Sequence, residues 1–130
     1  MLVVDASVAF NACAAADGFD EFGQERLLAP PLMWSEARSA LHLATWQGRI
    51  AREDAEATRA RLESCPVGPR DHEDLGSEAW RVADELGWGK TYDAEYVALA
   101  RLLGCRLVTL DARLRRGADR LGFVVGPTEL

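Results

Sequence analysis

Two mostly apolar runs favour buried β-strands at opposite ends of the chain. They are Leu2–Val4 and the stretch 105–110, and both contain the β-branched residues that suit a pleated sheet. Each run ends on a carboxylate, Asp5 in the first case and Asp111 in the second. In an α/β sheet, ligands collect where strands end beneath the start of a following helix. Each acid is therefore either a helix cap or a ligand for something positive.

Apolar residues at helical spacing, with Gly and Pro at the breaks, divide most of the remaining chain into helices. Two prolines before residue 34, for example, are typical of a helix start, and the apolar stripe that follows extends to about Gly48. The predicted helices cover 8–16, 20–28, 34–48, 52–64, 71–86, 92–103 and 112–121, and further short strands are expected at 27–29, 65–69 (strand or loop) and 123–125.

This alternation of strands and helices predicts one α/β domain over residues 1–130 with a parallel sheet. No run approaches the roughly 20 apolar residues of a membrane span, and Met1 leads directly into a strand rather than into a signal peptide. The three cysteines (Cys13, Cys65, Cys105) are odd in number and lack metal-site spacing, so we expect reduced thiols in or near the core of a cytoplasmic protein. Trp46, Trp80 and Trp88 are expected in the core, with a dimer or partner surface as the alternative.

The net charge of −6 argues at first against nucleic acid, but its distribution is uneven. Residues 1–36 hold six acids and one Arg, whereas residues 101–120 hold six Arg and two Asp. An acidic end and a basic end on one small domain suit a metal-binding cleft beside a phosphate-binding rim. Solvated helix faces are the alternative interpretation.

Four carboxylates are predicted at one edge of the sheet. Asp5 and Asp111 follow strands, while Glu36 and Asp93 are expected in the first turns of helices, and these positions share an edge in a parallel sheet. Each acid alone could be a cap or a dipole partner, worth roughly 0.3–1 kcal/mol. Two carboxylates about 4 Å apart, however, repel by about 4 kcal/mol at an effective dielectric constant of 20, which favours a bound cation. Oxygen ligands without His or Cys favour Mg²⁺ or Mn²⁺ over zinc, and such an ion supports phosphodiester hydrolysis.

Several motifs along the chain resemble those of PIN-domain ribonucleases, and most closely the VapC-type toxins of bacterial toxin–antitoxin pairs. They are VVDASV at the start, Glu36 in a helix after a Pro-rich turn, TYDAEYVALA around Asp93 and LVTLDARL around Asp111. The blocks around Asp93 and Asp111 are specific, whereas VVDASV alone is weak. The resemblance covers essentially the whole chain, in the expected order.

The resemblance implies a mostly parallel sheet of order 3-2-1-4-5 and a Mg²⁺- or Mn²⁺-dependent endoribonuclease acting on structured RNA such as tRNA or rRNA. Its acidic metal ligands correspond to Asp5, Glu36, Asp93 and Asp111. Thr109 matches the small hydroxyl residue before the last Asp, and Ser7 is a comparable candidate beside Asp5. It also implies a homodimer and a VapB-like antitoxin, in a heterotetramer or larger complex.

Contacts to RNA are predicted from local positive charge, because the chain as a whole is acidic. The candidates are Arg113, Arg115 and Arg116, with Lys90 as a further phosphate contact. For Lys90 an ordinary loop position is the alternative.

Four other interpretations compete with this one. A receiver domain needs paired acids after its first strand, and a haloacid-dehalogenase-like phosphatase needs an Asp where this chain has Ser7. A PIN-like nuclease outside a toxin–antitoxin pair remains an alternative, as does a non-catalytic binding module, although all four acids are intact.

Overall fold

Five short parallel strands form one sheet at the centre of the computed structural model, which describes residues 1–130. The strands are β1 (Leu2–Val4), β2 (Leu27–Ala29), β3 (Val67–Pro69), β4 (Arg106–Val108) and β5 (Val124–Val125). Their order is β3-β2-β1-β4-β5, and every neighbouring pair is parallel. The predicted order is confirmed, and the expected edge strand at 65–69 is β3.

Six helices connect these strands. They are α1 (Ala6–Cys13), α2 (Leu32–Trp46), α3 (Arg52–Glu63), α4 (Leu75–Leu86), α5 (Tyr92–Leu103) and α6 (Ala112–Gly117), with single 3₁₀ turns at Asp20–Phe22, Asp119–Leu121 and Pro127–Glu129. Helices α1, α2 and α3 pack on one another, while α4 packs on α5 and α5 packs on β1 and β4. Right-handed crossovers place these two groups on opposite faces of the sheet. None of the helices is long and apolar enough to cross a bilayer.

Helix α5 lies over the two central strands because its sequence is small and apolar. Residues 97–100 are fully buried, and so is Ala94 in the first turn. Val3, Val4, Leu107 and Val108 of β1 and β4 are also fully buried. Alanines let a helix approach a sheet closely, and this packing brings the start of α5 to the edge where β1 and β4 end.

The predicted helix over 20–28 is wrong. Only Asp20–Phe22 forms a helical turn, because Gly23 has a left-handed backbone (φ +56°) and residues 27–29 pair as β2 in the buried sheet. The predicted strand at 27–29 is thus confirmed as β2, and its pairing with β1 and β3 limits the preceding helix to a single turn.

Several helix boundaries also differ from their predicted positions. Helix α2 begins at Leu32, directly after Pro31, so Glu36 lies in its second turn rather than its first. Helix α1 begins at Ala6 because Asp5 is its cap, and α4 begins at Leu75 rather than at residue 71 or 72. Glycines with left-handed backbone end α4 and α5, as the sequence predicts.

Two of the three tryptophans examined in the sequence are not core residues. Trp46 is 81% exposed and Trp80 is 66% exposed, whereas Trp88 is half-buried and packs against the core. The expectation of reduced thiols agrees with the structure, in which Cys13 is buried, Cys65 and Cys105 are half-buried, and all three are free.

Gly18 is required by a close approach of the backbone after α1. A Cβ atom at this position would lie 1.8 Å from the carbonyl oxygen of Ala12, whereas a Cβ at Gly76 in α4 meets nothing within 4 Å. We expect Gly18→Ala to lower stability by more than about 2 kcal/mol, and Gly76→Ala to raise it by about 0.5–1 kcal/mol through helix propensity. Urea unfolding of both variants tests this, and equal stability of Gly18→Ala and wild type would contradict it.

Candidate active site

Asp5 is a buried carboxylate at the end of β1, with only 4% of the residue exposed. Its Oδ1 accepts hydrogen bonds from the Ser7 hydroxyl at 2.5 Å and from the Val8 backbone N–H at 3.1 Å. Its Oδ2 accepts one from the Thr109 hydroxyl. Asp5 is thus the cap of α1, and its hydrogen bond to Thr109 also joins β1 to the end of β4.

Ser7 and Thr109 extend this network to the backbone after β4. The Ser7 hydroxyl accepts a hydrogen bond from the N–H of Leu110, and the Thr109 hydroxyl accepts one from the N–H of Asp111, each at 3.0 Å. The two hydroxyl oxygens lie 3.5 Å apart. The structure therefore places both residues predicted to support the site against Asp5.

Glu36 reaches the site from α2 and is held by a residue that the sequence analysis assigned only to packing. The hydroxyl of Tyr96, a residue 1% exposed on α5, donates to Oε1 of Glu36 at 2.5 Å. Burial, together with this hydrogen bond and the charge of Glu36, raises the pKa of Tyr96. One property of Tyr96 could have indicated this contact from the sequence: the hydroxyl of a buried Tyr nearly always has a polar partner.

Asp93 and Asp111 complete the predicted set. Asp93 lies in the first turn of α5, half-buried, with its Oδ2 4.0 Å from a guanidinium nitrogen of Arg113. Asp111 caps α6, because its Oδ1 accepts hydrogen bonds from the N–H groups of Arg113 at 2.9 Å and Leu114 at 3.2 Å. Its Oδ2 is not used by the cap.

The carboxylates raise one another's affinity for protons. Burial raises the pKa of Asp5, an effect that three hydrogen bonds oppose and the charge of Asp111 reinforces. Burial and the charges of Asp93 and Asp5 raise the pKa of Glu36 against the opposing hydrogen bond from Tyr96. Burial and the charge of Asp111 also raise the pKa of Asp93, while Arg113 lowers it. The acids therefore influence one another electrostatically, and Arg113 is the cation that opposes this repulsion at Asp93.

The donor chemistry suits a hard divalent cation, although the side chains as placed do not form a closed ligand shell. No three His, Cys, Asp or Glu side chains converge closely enough to hold an ion. Carboxylate oxygens are nevertheless the ligands that Mg²⁺ and Mn²⁺ prefer, and an ion would relieve the repulsion between the acids. The residues present therefore fit such an ion chemically.

An open cavity of about 490 Å³ lies at this edge of the sheet. Its walls combine acidic, basic and aromatic residues: Glu36, Trp88, Lys90, Tyr92, Asp93 and Arg113, together with Gly87, Gly89 and Leu114. Lys90 is thus part of the cavity wall. Tyr92 and Trp88 were not predicted to line the site. The only indication of this role in the sequence is that Tyr92 directly precedes Asp93 and that Trp88 lies two residues before Lys90.

The three arginines predicted to contact RNA have different surroundings. The side chain of Arg113 is 83% exposed beside Asp93, and Arg116 is exposed three residues further along α6. Arg115 instead forms ion pairs with Asp119 at 2.5 Å and Glu129 at 2.9 Å. Neither Arg115 nor Arg116 lines the cavity.

Comparison with known proteins identifies the family. The PIN domain family model matches residues 2–120. The chain is 35% identical over 116 residues to ribonuclease VapC9 of Mycobacterium tuberculosis and to a VapC ribonuclease of Mycobacterium bovis, which is 88% of each chain. It also resembles the crystal structure of PAE2754 from Pyrobaculum aerophilum, with a TM-score of 0.77, 27% identity, and coverage of 98% of this chain and 91% of the other. The chain therefore belongs to the PIN-domain family, as a member of the VapC ribonuclease type.

Proposed function

We propose that the protein is a Mg²⁺- or Mn²⁺-dependent endoribonuclease toxin that cleaves structured RNA such as tRNA or rRNA. The observation that carries the proposal is the gathering of Asp5, Glu36, Asp93 and Asp111 into one electrostatic environment. The chain's similarity to ribonucleases of the VapC type supports the choice of RNA over other phosphodiesters.

In this proposal Asp5, Asp93 and Asp111 hold the ion. When bound, the ion lowers the pKa of water and stabilises negative charge that develops on the phosphoryl group. Ser7 and Thr109 fix the orientation of the Asp5 carboxylate between them, so that it is already placed before an ion arrives. The raised pKa of Asp5 and its burial make an ionised, ion-free site unfavourable.

Glu36 takes up the proton in this scheme. Its pKa is raised by burial and by neighbouring carboxylates, which moves it towards the range in which a general base works at neutral pH. Tyr96 holds the carboxylate in place through one oxygen, leaving the other for the attacking water. In-line attack of water on phosphorus forms the new P–O bond and breaks the bond to the 3′ oxygen, which takes a proton from solvent, giving a 5′-phosphate and a 3′-hydroxyl.

The proposed partners are the RNA, a second copy of the chain in a homodimer, and a VapB-like antitoxin in a heterotetramer or larger assembly. Lys90, Arg113 and Arg116 supply the RNA phosphate contacts, because all three are exposed and the first two line the cavity. The exposed rings of Trp46 and Trp80 favour protein partners, since large apolar side chains seldom remain open to water.

The proposed location is the cytoplasm, because the proposed substrates, tRNA and rRNA, are found there. A neighbouring reading frame that encodes a small DNA-binding protein would support the toxin assignment.

Replacing Asp5 with Asn separates the catalytic role of this residue from its structural role. We expect Asp5→Asn to reduce Mg²⁺-dependent RNA cleavage at least about 100-fold, and to leave the metal-free fold as stable as wild type or up to about 5 °C more stable at pH 7.5. The folded chain has the higher Asp5 pKa, so the wild type is destabilised as pH rises above about 4. The advantage of the variant should therefore shrink as pH falls towards 4.

Thermal melts with and without Mg²⁺, alongside an RNA cleavage assay, measure both effects. Mg²⁺ should raise the melting temperature of wild type and have little effect on Asp5→Asn. The exposed Asp17→Asn is the matched control and should behave like wild type. Full activity of Asp5→Asn, or its outright unfolding, would contradict the proposal.

Removing the hydroxyl of Tyr96 tests the role of Glu36. Tyr96→Phe leaves one oxygen of Glu36 without its partner, and should cost about 1–3 kcal/mol of stability. The lost hydrogen bond lowers the pKa of Glu36 in wild type, so in the variant this pKa rises and the acidic limb of the kcat profile shifts to higher pH. Measuring cleavage between pH 5 and 9 checks the shift. An unshifted profile would remove Glu36 from the role of base.

The salt dependence of RNA binding distinguishes the arginines. Arg113→Gln should weaken binding in EDTA and reduce the slope of log Kd against log salt by about 0.7–0.9, the value for one phosphate contact. Arg115→Gln should leave that slope unchanged, because Arg115 is already paired with Asp119 and Glu129. Equal slopes for wild type and Arg113→Gln would exclude Arg113 as a phosphate contact.

A further inference from the structure

A second surface depression adjoins the active-site cavity and shares two residues with it. This depression, the α2 groove, has a volume of about 520 Å³ and is lined by Leu32, Ser35, Glu36, Ser39, Ala40, Leu43 and Tyr92. Glu36 and Tyr92 also line the active-site cavity. They therefore form the boundary between the two, and a chain-like ligand can pass from one to the other beside Glu36.

The two depressions differ in chemistry. The active-site cavity contains Lys90 and Arg113, which suit a phosphate group. The α2 groove contains no basic residue, and its only carboxylate is Glu36 at the shared boundary. A phosphate placed there would meet no positive charge. Apolar side chains with the hydroxyls of Ser35 and Ser39 instead suit an uncharged group that has flat apolar faces and polar edges.

Tyr92 supplies the flat surface that such a group needs. It is the first residue of α5, directly before Asp93, and 60% of it is exposed. Its ring is thus open to a ligand without any rearrangement of the core. Aromatic side chains that stack on unpaired bases are a common means by which proteins bind single-stranded RNA.

We propose that the α2 groove binds a nucleobase of the RNA next to the cleaved phosphodiester, stacked on Tyr92. The inference rests on the proposed ribonuclease function and adds a base-selective subsite to it. The RNA backbone then follows Lys90 and Arg113 through the active-site cavity and turns one base into the groove. The hydroxyls of Ser35 and Ser39 lie where they meet the polar edge of that base.

The continuity of the groove with Glu36 favours RNA over a protein occupant. A partner helix or a second copy of the chain needs only an apolar surface, and the exposed Leu43 and Trp46 provide one further along α2. The end of the groove at Tyr92, however, opens beside the carboxylates where the phosphodiester is to be cleaved. A nucleobase at that end of the groove would belong to a nucleotide next to the scissile bond.

The first test uses a pool of RNA hairpins with randomised loops, cleaved in Mg²⁺ and sequenced at the new ends. Wild type should prefer particular bases at one position beside the cut. Tyr92→Leu should lose that preference and raise KM about 5- to 100-fold with a smaller change in kcat, whereas Tyr92→Phe keeps the ring and stays within about threefold of wild type. Phe10→Leu, at a partly exposed aromatic on α1 outside both depressions, is the matched control and should match wild type.

A double-mutant cycle then separates direct stacking from an indirect effect. With a selected hairpin carrying an abasic site at the preferred position, wild type should lose the same factor that Tyr92→Leu loses on the intact hairpin. Tyr92→Leu should lose nothing further. Additive losses would show that the ring does not contact this base, and would overturn the proposal.

Binding in EDTA, read by the fluorescence of 2-aminopurine in the same hairpin, keeps the subsite separate from catalysis. Quenching by wild type but not by Tyr92→Leu supports the subsite even if no metal ion elicits cleavage, a result that would overturn the proposed function alone. An identical base preference in wild type and Tyr92→Leu would overturn the subsite while leaving the nuclease intact. A change of oligomeric mass in Tyr92→Leu with unaltered RNA binding would make the groove an interface between copies, and would also overturn it.

Discussion

The burial of one carboxylate, that of Asp5, is the constraint on which the site depends. A charge taken out of water is costly unless it is hydrogen-bonded, and three donors from two parts of the chain converge on this one. Two of them, the N–H of Val8 and the hydroxyl of Ser7, come from the first turn of α1, and the third comes from Thr109 after β4. Asp5 thereby links strands that lie about one hundred residues apart in sequence, and the pairing of β1 with β4 cannot shift without breaking this network.

The same constraint explains why α5 carries the residues that it does. The helix must cross β1 and β4 closely enough to bring Asp93 to the edge where Asp5 and Asp111 lie, which its buried alanines permit. Tyr96 is the largest fully buried side chain of the molecule, and its hydroxyl donates a hydrogen bond to Glu36. Core packing and site geometry are therefore inseparable in this helix, because one turn supplies both an apolar anchor and the donor that holds an acid.

Sequence patterns predicted the parts of the fold that follow from burial and topology. The apolar runs at β1 and β4 and the rule that parallel strand ends meet at one edge predict a shared location for Asp5, Asp93 and Asp111, whereas Glu36 reaches them from the second turn of α2 rather than the first. The failures occurred where distant contacts decide the outcome. The predicted helix over 20–28 stops after Phe22 because the chain then enters β2 between β1 and β3, and Arg115 is held by Glu129 from the end of the chain. The hydrogen bond from Tyr96 to Glu36 spans 60 positions, and no local pattern indicates it.

Catalysis and target choice place different demands on this surface. Carboxylates and a metal ion act on a phosphodiester that is the same at every nucleotide, and phosphate contacts from Lys90 or Arg113 position a strand without reading its sequence. Discrimination between bases needs a surface that contacts their faces and edges, and the α2 groove, which lacks basic residues, is the neighbouring surface with that character. Glu36 and Tyr92 lie on the boundary between the groove and the cavity. A nucleobase in the groove would therefore place the phosphodiester of its own nucleotide beside Glu36, the residue that takes up the proton. Substitutions at Ser35, Ser39 or Leu43 would then change which RNA is cut without altering any carboxylate of the site.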